Sequence, residues 1–257
     1  MPIVAQTIAY RDGATELTGC LFFDDARSER RPGILVVHGG AGLDDHAKGR
    51  ARRFAELGYV VFACDMYGNG VAEGGRPRIM SLILQLSADP AKLCQRAQAG
   101  IEVLRAHPHV DGRLAAVGYC FGGMTVLELA RNGVDLAAVV SVHGSVEPAR
   151  RVAETHGSEE LRVQPAPSPE DKRPMLAKVL VCHGALDPYV PMAHVTAFID
   201  EMIAASADWQ LLICGGALHG FTHETPSTTP GVAYNAQADA RSSAAIQAFF
   251  AELFGPV

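Results

Sequence analysis

Short apolar runs recur along this chain, with amphipathic stretches between them. The runs at 33–37, 59–64, 114–119, 137–142, 178–183 and 209–213 read as strands, and their nearly continuous apolar character is that of strands buried on both faces. A further strand is expected at 17–23. Helices fit the intervening segments 45–57, 90–106, 124–131, 192–205 and 236–253. Gly58 closes the first of these, and Asp89-Pro90 opens the second as an N-cap followed by proline at the first helical position. Strands of this kind separated by helices predict an α/β fold, a mostly parallel sheet covered by helices on both faces. There is no internal repeat, and residues 1–257 are expected to form a single domain. The proline-bearing, charged segment 147–178 breaks the rhythm and reads as a surface excursion or a lid.

In a sheet of this class ligands bind beyond the carboxyl ends of the strands, so chemistry should follow the apolar runs. His38-Gly39-Gly40, Asp65, Cys120, His143, Asp187 and His219 all do. The most specific of these sites is Gly118-Tyr119-Cys120-Phe121-Gly122-Gly123. It has the form of a nucleophile elbow, in which a strand turns sharply into a helix and holds one side chain at the corner. Glycines are needed there because a strained nucleophile backbone requires neighbours without Cβ atoms. Cysteine occupies the nucleophile position, and a thiolate at a helix N-terminus ionises more readily than a free thiol.

A cysteine nucleophile needs a base, and the base needs an orienting group. His219, in the glycine-flanked loop after 209–213, is the candidate base, and Asp187, on the turn after 178–183, is the candidate orienting acid. The order Cys120, Asp187, His219 is the nucleophile–acid–histidine order of α/β-hydrolases. The backbone N–H groups of Phe121 and Gly40 are the candidate oxyanion hole, one from the elbow and one from the loop after an early strand. Tyr67, Tyr119, His143 and Tyr189 are candidate substrate-lining residues, as is Phe121.

The chain has 48% hydrophobic and 19% charged residues and a net charge of −6, the composition of an ordinary globular protein without a nucleic-acid footprint. No apolar run is long enough to span a bilayer, and Met1-Pro2-Ile3-Val4 lacks a basic segment ahead of an apolar one, so a cytoplasmic protein is expected. The six dispersed cysteines lack C-x-x-C spacing and read as reduced.

The motifs Gly-Tyr-Cys-Phe-Gly-Gly (118–123), His-Gly-Ala-Leu-Asp-Pro (183–188), Ala-Leu-His-Gly-Phe (217–221) and Asp-Met-Tyr-Gly (65–68) resemble those of the dienelactone hydrolase family. The resemblance runs from Gly33 onward. It implies an α/β-hydrolase fold, a Cys-His-Asp triad and hydrolysis of small esters or lactones without a metal or organic cofactor. The same thiolate apparatus could act on activated aryl esters or phosphotriesters as side substrates. Two positions depart from the family pattern. Gly39 stands where well-known members carry a glutamate that contacts the resting cysteine. His223 stands where they carry an arginine for the substrate carboxylate, a role that Arg76 and Arg78 could serve from elsewhere. Two other classes compete with this reading. A non-catalytic small-molecule-binding protein on the same fold would lack a selectively reactive Cys120. A metal-dependent hydrolase could use His219 and His223 with Asp44, Asp45 and His46, although Gly220 and Pro226 argue against the shared helix face that a four-residue histidine spacing requires.

Overall fold

The computed structural model describes residues 3–68, 71, 74–157 and 175–255. Among them, eight strands form one sheet: β1 (Ile3–Asp12), β2 (Thr15–Asp24), β3 (Arg31–Val37), β4 (Val60–Cys64), β5 (Val110–Tyr119), β6 (Ala138–Val142), β7 (Lys178–Gly184) and β8 (Trp209–Cys214). Their spatial order is β1-β2-β4-β3-β5-β6-β7-β8. β1 and β2 pair antiparallel as a hairpin and β2 pairs antiparallel with β4, while every pairing from β4 through β8 is parallel. Seven helices accompany them: α1 (Asp45–Glu56), α2 (Gly75–Ala88), α3 (Pro90–Arg105), α4 (Phe121–Arg131), α5 (Ala149–His156), α6 (Met192–Ala204) and α7 (Ala236–Phe254). The seven strands and five helices expected from the sequence are all present. This is the α/β-hydrolase class of fold, a mostly parallel sheet with helices on both faces.

The sheet is apolar on both sides because both sides are covered. Leu35, Val37, Phe62 and Val181 project to one face, where Leu93, Ala97 and Ile101 of α3, Met124 and Leu127 of α4, and Phe198 of α6 pack against them. The alternate residues Ile34, Val36, Val61 and Val140 project to the other face, under Phe54 of α1 and Ile246, Phe249 and Phe250 of α7. The strand period of two thus divides one apolar run between two cores.

The chain moves from β3 to β4 on one side of β3, then crosses through α2 and α3 to β5 on the other. The loops after β3 and β5 therefore diverge at a topological switch point, where α/β sheets open a crevice. They contain Gly40 and Cys120.

Three elements add to those expected. β1 is an edge strand, exposed or half-buried along nearly all its length, and its hairpin is fixed to α3 by Asp12, whose buried carboxylate meets Lys92 Nζ at 2.7 Å and Arg96 Nε at 2.8 Å. α2 starts without a side-chain cap and buries only Leu86, Ser87 and Ala88. It ends at Asp89, whose side chain accepts from Lys92 N–H and so caps α3. α5 occupies 149–156 of the segment expected to be an excursion or a lid. Residues 158–174 of that segment lie outside the described residues.

The helices of the second face are joined by a buried ion pair. Arg50 of α1 meets Asp239 of α7 through two hydrogen bonds of 2.6 and 2.8 Å, and also donates to the carbonyl of Thr222. Removing one partner leaves the other charge buried and uncompensated, so Arg50→Met should destabilise the protein by about 3 kcal/mol or more. Urea unfolding measures this, with Arg50→Met/Asp239→Leu losing less than the single substitution; a loss below about 1 kcal/mol for Arg50→Met would contradict the role assigned to the pair.

Candidate active site

The elbow forms as its glycines require. Cys120 sits between β5 and α4 with φ 53° and ψ −112°, a left-handed backbone rare for a residue with a side chain. Its N–H bonds Val142 O at 3.1 Å, and its carbonyl accepts from Gly123 N–H at 3.0 Å. The turn is tight enough that a Cβ on Gly118 would collide with the backbone of Gly122, and one on Gly122 with the carbonyl of Val37. A Cβ on Gly123 would lie 2.6 Å from Ser141 Oγ. The helix starts at Phe121 rather than Met124, directly after the cysteine.

Three loops bring the candidate triad together. His219 Nε2 is 3.1 Å from Cys120 Sγ, and its Nδ1 is 2.7 Å from Asp187 Oδ2. The other carboxylate oxygen of Asp187 accepts from the N–H groups of Tyr189 (2.8 Å) and Val190 (3.1 Å). One oxygen thus pins the turn, which leaves the second free for the histidine. His219 is held from behind by backbone bonds to Gly231 and Ala233, and Tyr189 OH anchors that segment by donating to Pro230 O at 2.7 Å.

The electrostatics oppose burial and overcome it. Burial pushes the Cys120 thiol up, but His219, by charge and by hydrogen bond, together with the backbone N–H groups of Gly40 and Phe121, brings it below its ordinary range. Burial pulls His219 down, yet the Cys120 thiolate and the Asp187 carboxylate raise it to about 10. Both shifts favour a thiolate–imidazolium pair over the neutral thiol and imidazole. Both N–H groups expected to form the oxyanion hole converge on the sulfur.

The five candidate lining residues divide, with Phe121 buried at the start of α4. Tyr189 is half exposed, with its ring 5.3 Å from that of His219. Tyr67 is buried, and its hydroxyl donates to Gly40 O at 3.1 Å, so it supports the loop after β3. Tyr119 is a correction. As the last residue of β5 it shares the face of Ala115 and Val117, so its ring is packed in the α1–α7 core, with the Arg50 guanidinium 6.0 Å away. His143 is a second correction: it is fully buried, with φ 41°, and lies beneath His219 at 5.5 Å between ring centres. Asp65, which also follows a strand, caps its own turn by accepting from Tyr67 and Gly68 N–H. A cavity of about 340 Å³ touches Tyr67 and is walled mainly by the β1–β2 hairpin, α2 and α3, and no triad residue lines it.

Behind the triad lies a histidine group for which the sequence provided only partial signals. Thr222 Oγ1 sits 2.8 Å from His143 Nε2 and 3.0 Å from His46 Nε2. His46 stacks on His223 with ring centres 3.7 Å apart. His223 therefore faces His46, not a metal site shared with His219. Among the described residues no three His, Cys, Asp or Glu side chains form a metal-ligating group, and all six cysteines are unpaired. None of the described helices is long and apolar enough to cross a membrane.

Comparisons with known proteins bear on the family and the fold. The dienelactone hydrolase family model matches residues 18–254. The fold superposes with a TM-score of 0.85 on a dienelactone hydrolase-like promiscuous phosphotriesterase from metagenomic libraries, 39% identical, with 99% of this chain and 100% of that one covered. The protein m3DLH superposes with a TM-score of 0.86 at 36% identity, covering 98% of this chain and 99% of its own. An uncharacterised Caenorhabditis elegans protein is 34% identical over 167 residues, which is 63% of this chain and 95% of that protein.

Because the imidazolium and the two N–H groups favour the thiolate, its ultraviolet absorbance (wild type minus Cys120→Ala) should appear with a midpoint below the ~8.5 of a free thiol. His219→Ala removes the charge while leaving the burial, so the midpoint should rise. A wild-type midpoint at or above that of a free thiol would contradict the ion pair.

Proposed function

The chain belongs to the dienelactone hydrolase family, and on that premise we propose that it hydrolyses small esters or lactones with Cys120 as nucleophile, His219 as acid–base and Asp187 as orienting carboxylate. The observation that carries this reading is the continuous chain Asp187–His219–Cys120, at 2.7 and 3.1 Å, with two backbone N–H groups on the sulfur. The Cys120 thiolate attacks the carbonyl carbon. The carbonyl oxygen takes up the negative charge against the N–H groups of Phe121 and Gly40, a stabilisation of about 3 kcal/mol per donor in comparable sites. His219 gives its Nε2 proton to the leaving oxygen as the tetrahedral intermediate collapses to a thioester. Now neutral, His219 takes a proton from water as the water attacks the thioester, and the thiolate departs to restore the ion pair.

Two features narrow the substrate. A thiolate is itself easily expelled from a tetrahedral intermediate, so good leaving groups such as enols and phenols are favoured over amines. The promiscuous phosphotriesterase at 39% identity supports activated phosphotriesters as side substrates. The whole chain acts as one domain in this reading, with a small ester or lactone as its substrate.

Hydrolysis of a chromogenic short-chain aryl ester tests the roles. Cys120→Ala and His219→Ala should each lose at least about 10³-fold in kcat, and Asp187→Asn about 10-fold or more. Near wild-type turnover by Cys120→Ala would remove the cysteine from the mechanism.

A further inference from the structure

The two ends of an ester meet different surroundings at this triad. Its carbonyl oxygen turns toward the N–H groups of Gly40 and Phe121, while its leaving oxygen must come within reach of His219 Nε2 to be protonated. The leaving group therefore lies on the His219 side of Cys120. The Gly40 side is enclosed by buried side chains. Phe121 and Tyr67 are both buried, the Tyr67 hydroxyl holds Gly40 O at 3.1 Å, and Ile83 Cδ1 of α2 would lie 3.7 Å from a Cβ on Gly40.

The His219 side has one buried and one open aromatic neighbour. His143, with its ring centre 5.5 Å from that of His219, is fully buried. Tyr189, at 5.3 Å and inclined by 71°, is 49% exposed. Tyr67, Tyr119 and Phe121 are buried as well, so Tyr189 is the candidate lining residue with an open surface. Its ring is nevertheless fixed. The backbone N–H donates to Asp187 Oδ1 at 2.8 Å and the hydroxyl to Pro230 O at 2.7 Å. Gly231 lies against the ring edge, where a Cβ would come within 3.5 Å of Cε2, and its carbonyl accepts from His219 N–H at 3.1 Å. Tyr189 is thus tied to the acid turn and to the segment that holds the base. Leu186 and Met192, before and after it in the same stretch of chain, also expose most or much of their side chains. Apolar surface left open beside a site is a feature of ligand recognition, and a ring already held in place loses little freedom when a flat group settles on it.

We propose that Tyr189 is the platform for the leaving group, and that the preferred substrates are esters whose leaving alcohol is planar and conjugated, an aryl or enol group. The inference rests on the roles proposed above for Cys120 and His219, and it adds recognition to reactivity. The acidity of the alcohol sets how readily it departs; the Tyr189 ring selects among alcohols of equal acidity while the thiolate attacks.

Two acetates with leaving alcohols of nearly equal acidity separate these effects: 4-chlorophenyl acetate, with a flat aromatic leaving group, and hexafluoroisopropyl acetate, with a fluoroalkyl one. In each, a C–S bond forms at the carbonyl carbon, the C–O bond to the alcohol breaks, and the Nε2 proton of His219 passes to the departing oxygen. Both esters leave the same acetyl-cysteine, so a difference in kcat/KM arises no later than departure of the alcohol. With each kcat/KM divided by the rate constant for hydroxide-catalysed hydrolysis of the same ester, the wild type should favour the aryl ester by at least about threefold. Tyr189→Ala should lose most of that preference, and Tyr189→Phe, which gives up the bond to Pro230 and keeps the ring, should retain it. A normalised ratio near unity in the wild type overturns the proposal without any variant having to fold. An equal loss on both esters in Tyr189→Ala also overturns it, since that is what a purely structural tie would give, as does loss of the preference in Tyr189→Phe. Undiminished turnover of both esters by Cys120→Ala overturns the nucleophile assignment instead, and this platform with it.

Discussion

The left-handed backbone of Cys120 is the constraint around which the rest of the site is organised. A residue with a side chain at φ 53° is stable only where its surroundings over-determine it. Here the parallel strand β6 fixes its N–H, the first turn of α4 takes its carbonyl, and Gly118, Gly122 and Gly123 remove every Cβ that would push the turn open. The strain has a chemical use. It places Sγ at the end of β5, beside the loop after β3, where two N–H groups and the imidazole of His219 can reach it together.

That placement decides a contest between burial and charge. Left to burial alone, a thiol rises and a histidine falls, as the other buried cysteines Cys64, Cys94 and Cys182 and the imidazoles of His46 and His143 do. At Cys120 and His219 both shifts are reversed, because each group supplies the charge that stabilises the other and Asp187 adds a third. The surrounding histidines stay neutral by the same physics. Cys120, His219 and Asp187 are thus set beside imidazoles that burial lowers, with the Arg50–Asp239 pair behind them.

The architecture was legible in the sequence wherever an element is buried on both sides. The central strands β3 to β7 each contain a mostly apolar run, and α1 and α3 carry Asp caps that mark their starts. β1 was missed because an exposed edge strand has no continuous apolar run. α2 was missed because Gly74, Gly75 and Pro77 resemble a loop, and almost nothing in the helix is buried before Leu86. The candidate triad could be picked out because each member lies in the loop that follows a strand, in the order cysteine, acid, histidine. The lining residues were less legible. In a sheet apolar on both faces, parity groups Tyr119 with Val117 without saying which group faces the crevice. Thr222 carried no signal at all, since its role arises from His143 and His46, 79 and 176 residues away in sequence.

The central claim is that Cys120 forms a covalent thioester during turnover. Acid quenching of wild-type protein mixed with an excess of an aryl ester, followed by intact-mass and peptide mass spectrometry, tests it most directly. The account predicts a single acyl adduct on the peptide containing Cys120, released by hydroxylamine and absent from Cys120→Ala. Active turnover with an adduct on another residue, or an adduct of equal abundance in Cys120→Ala, would contradict it.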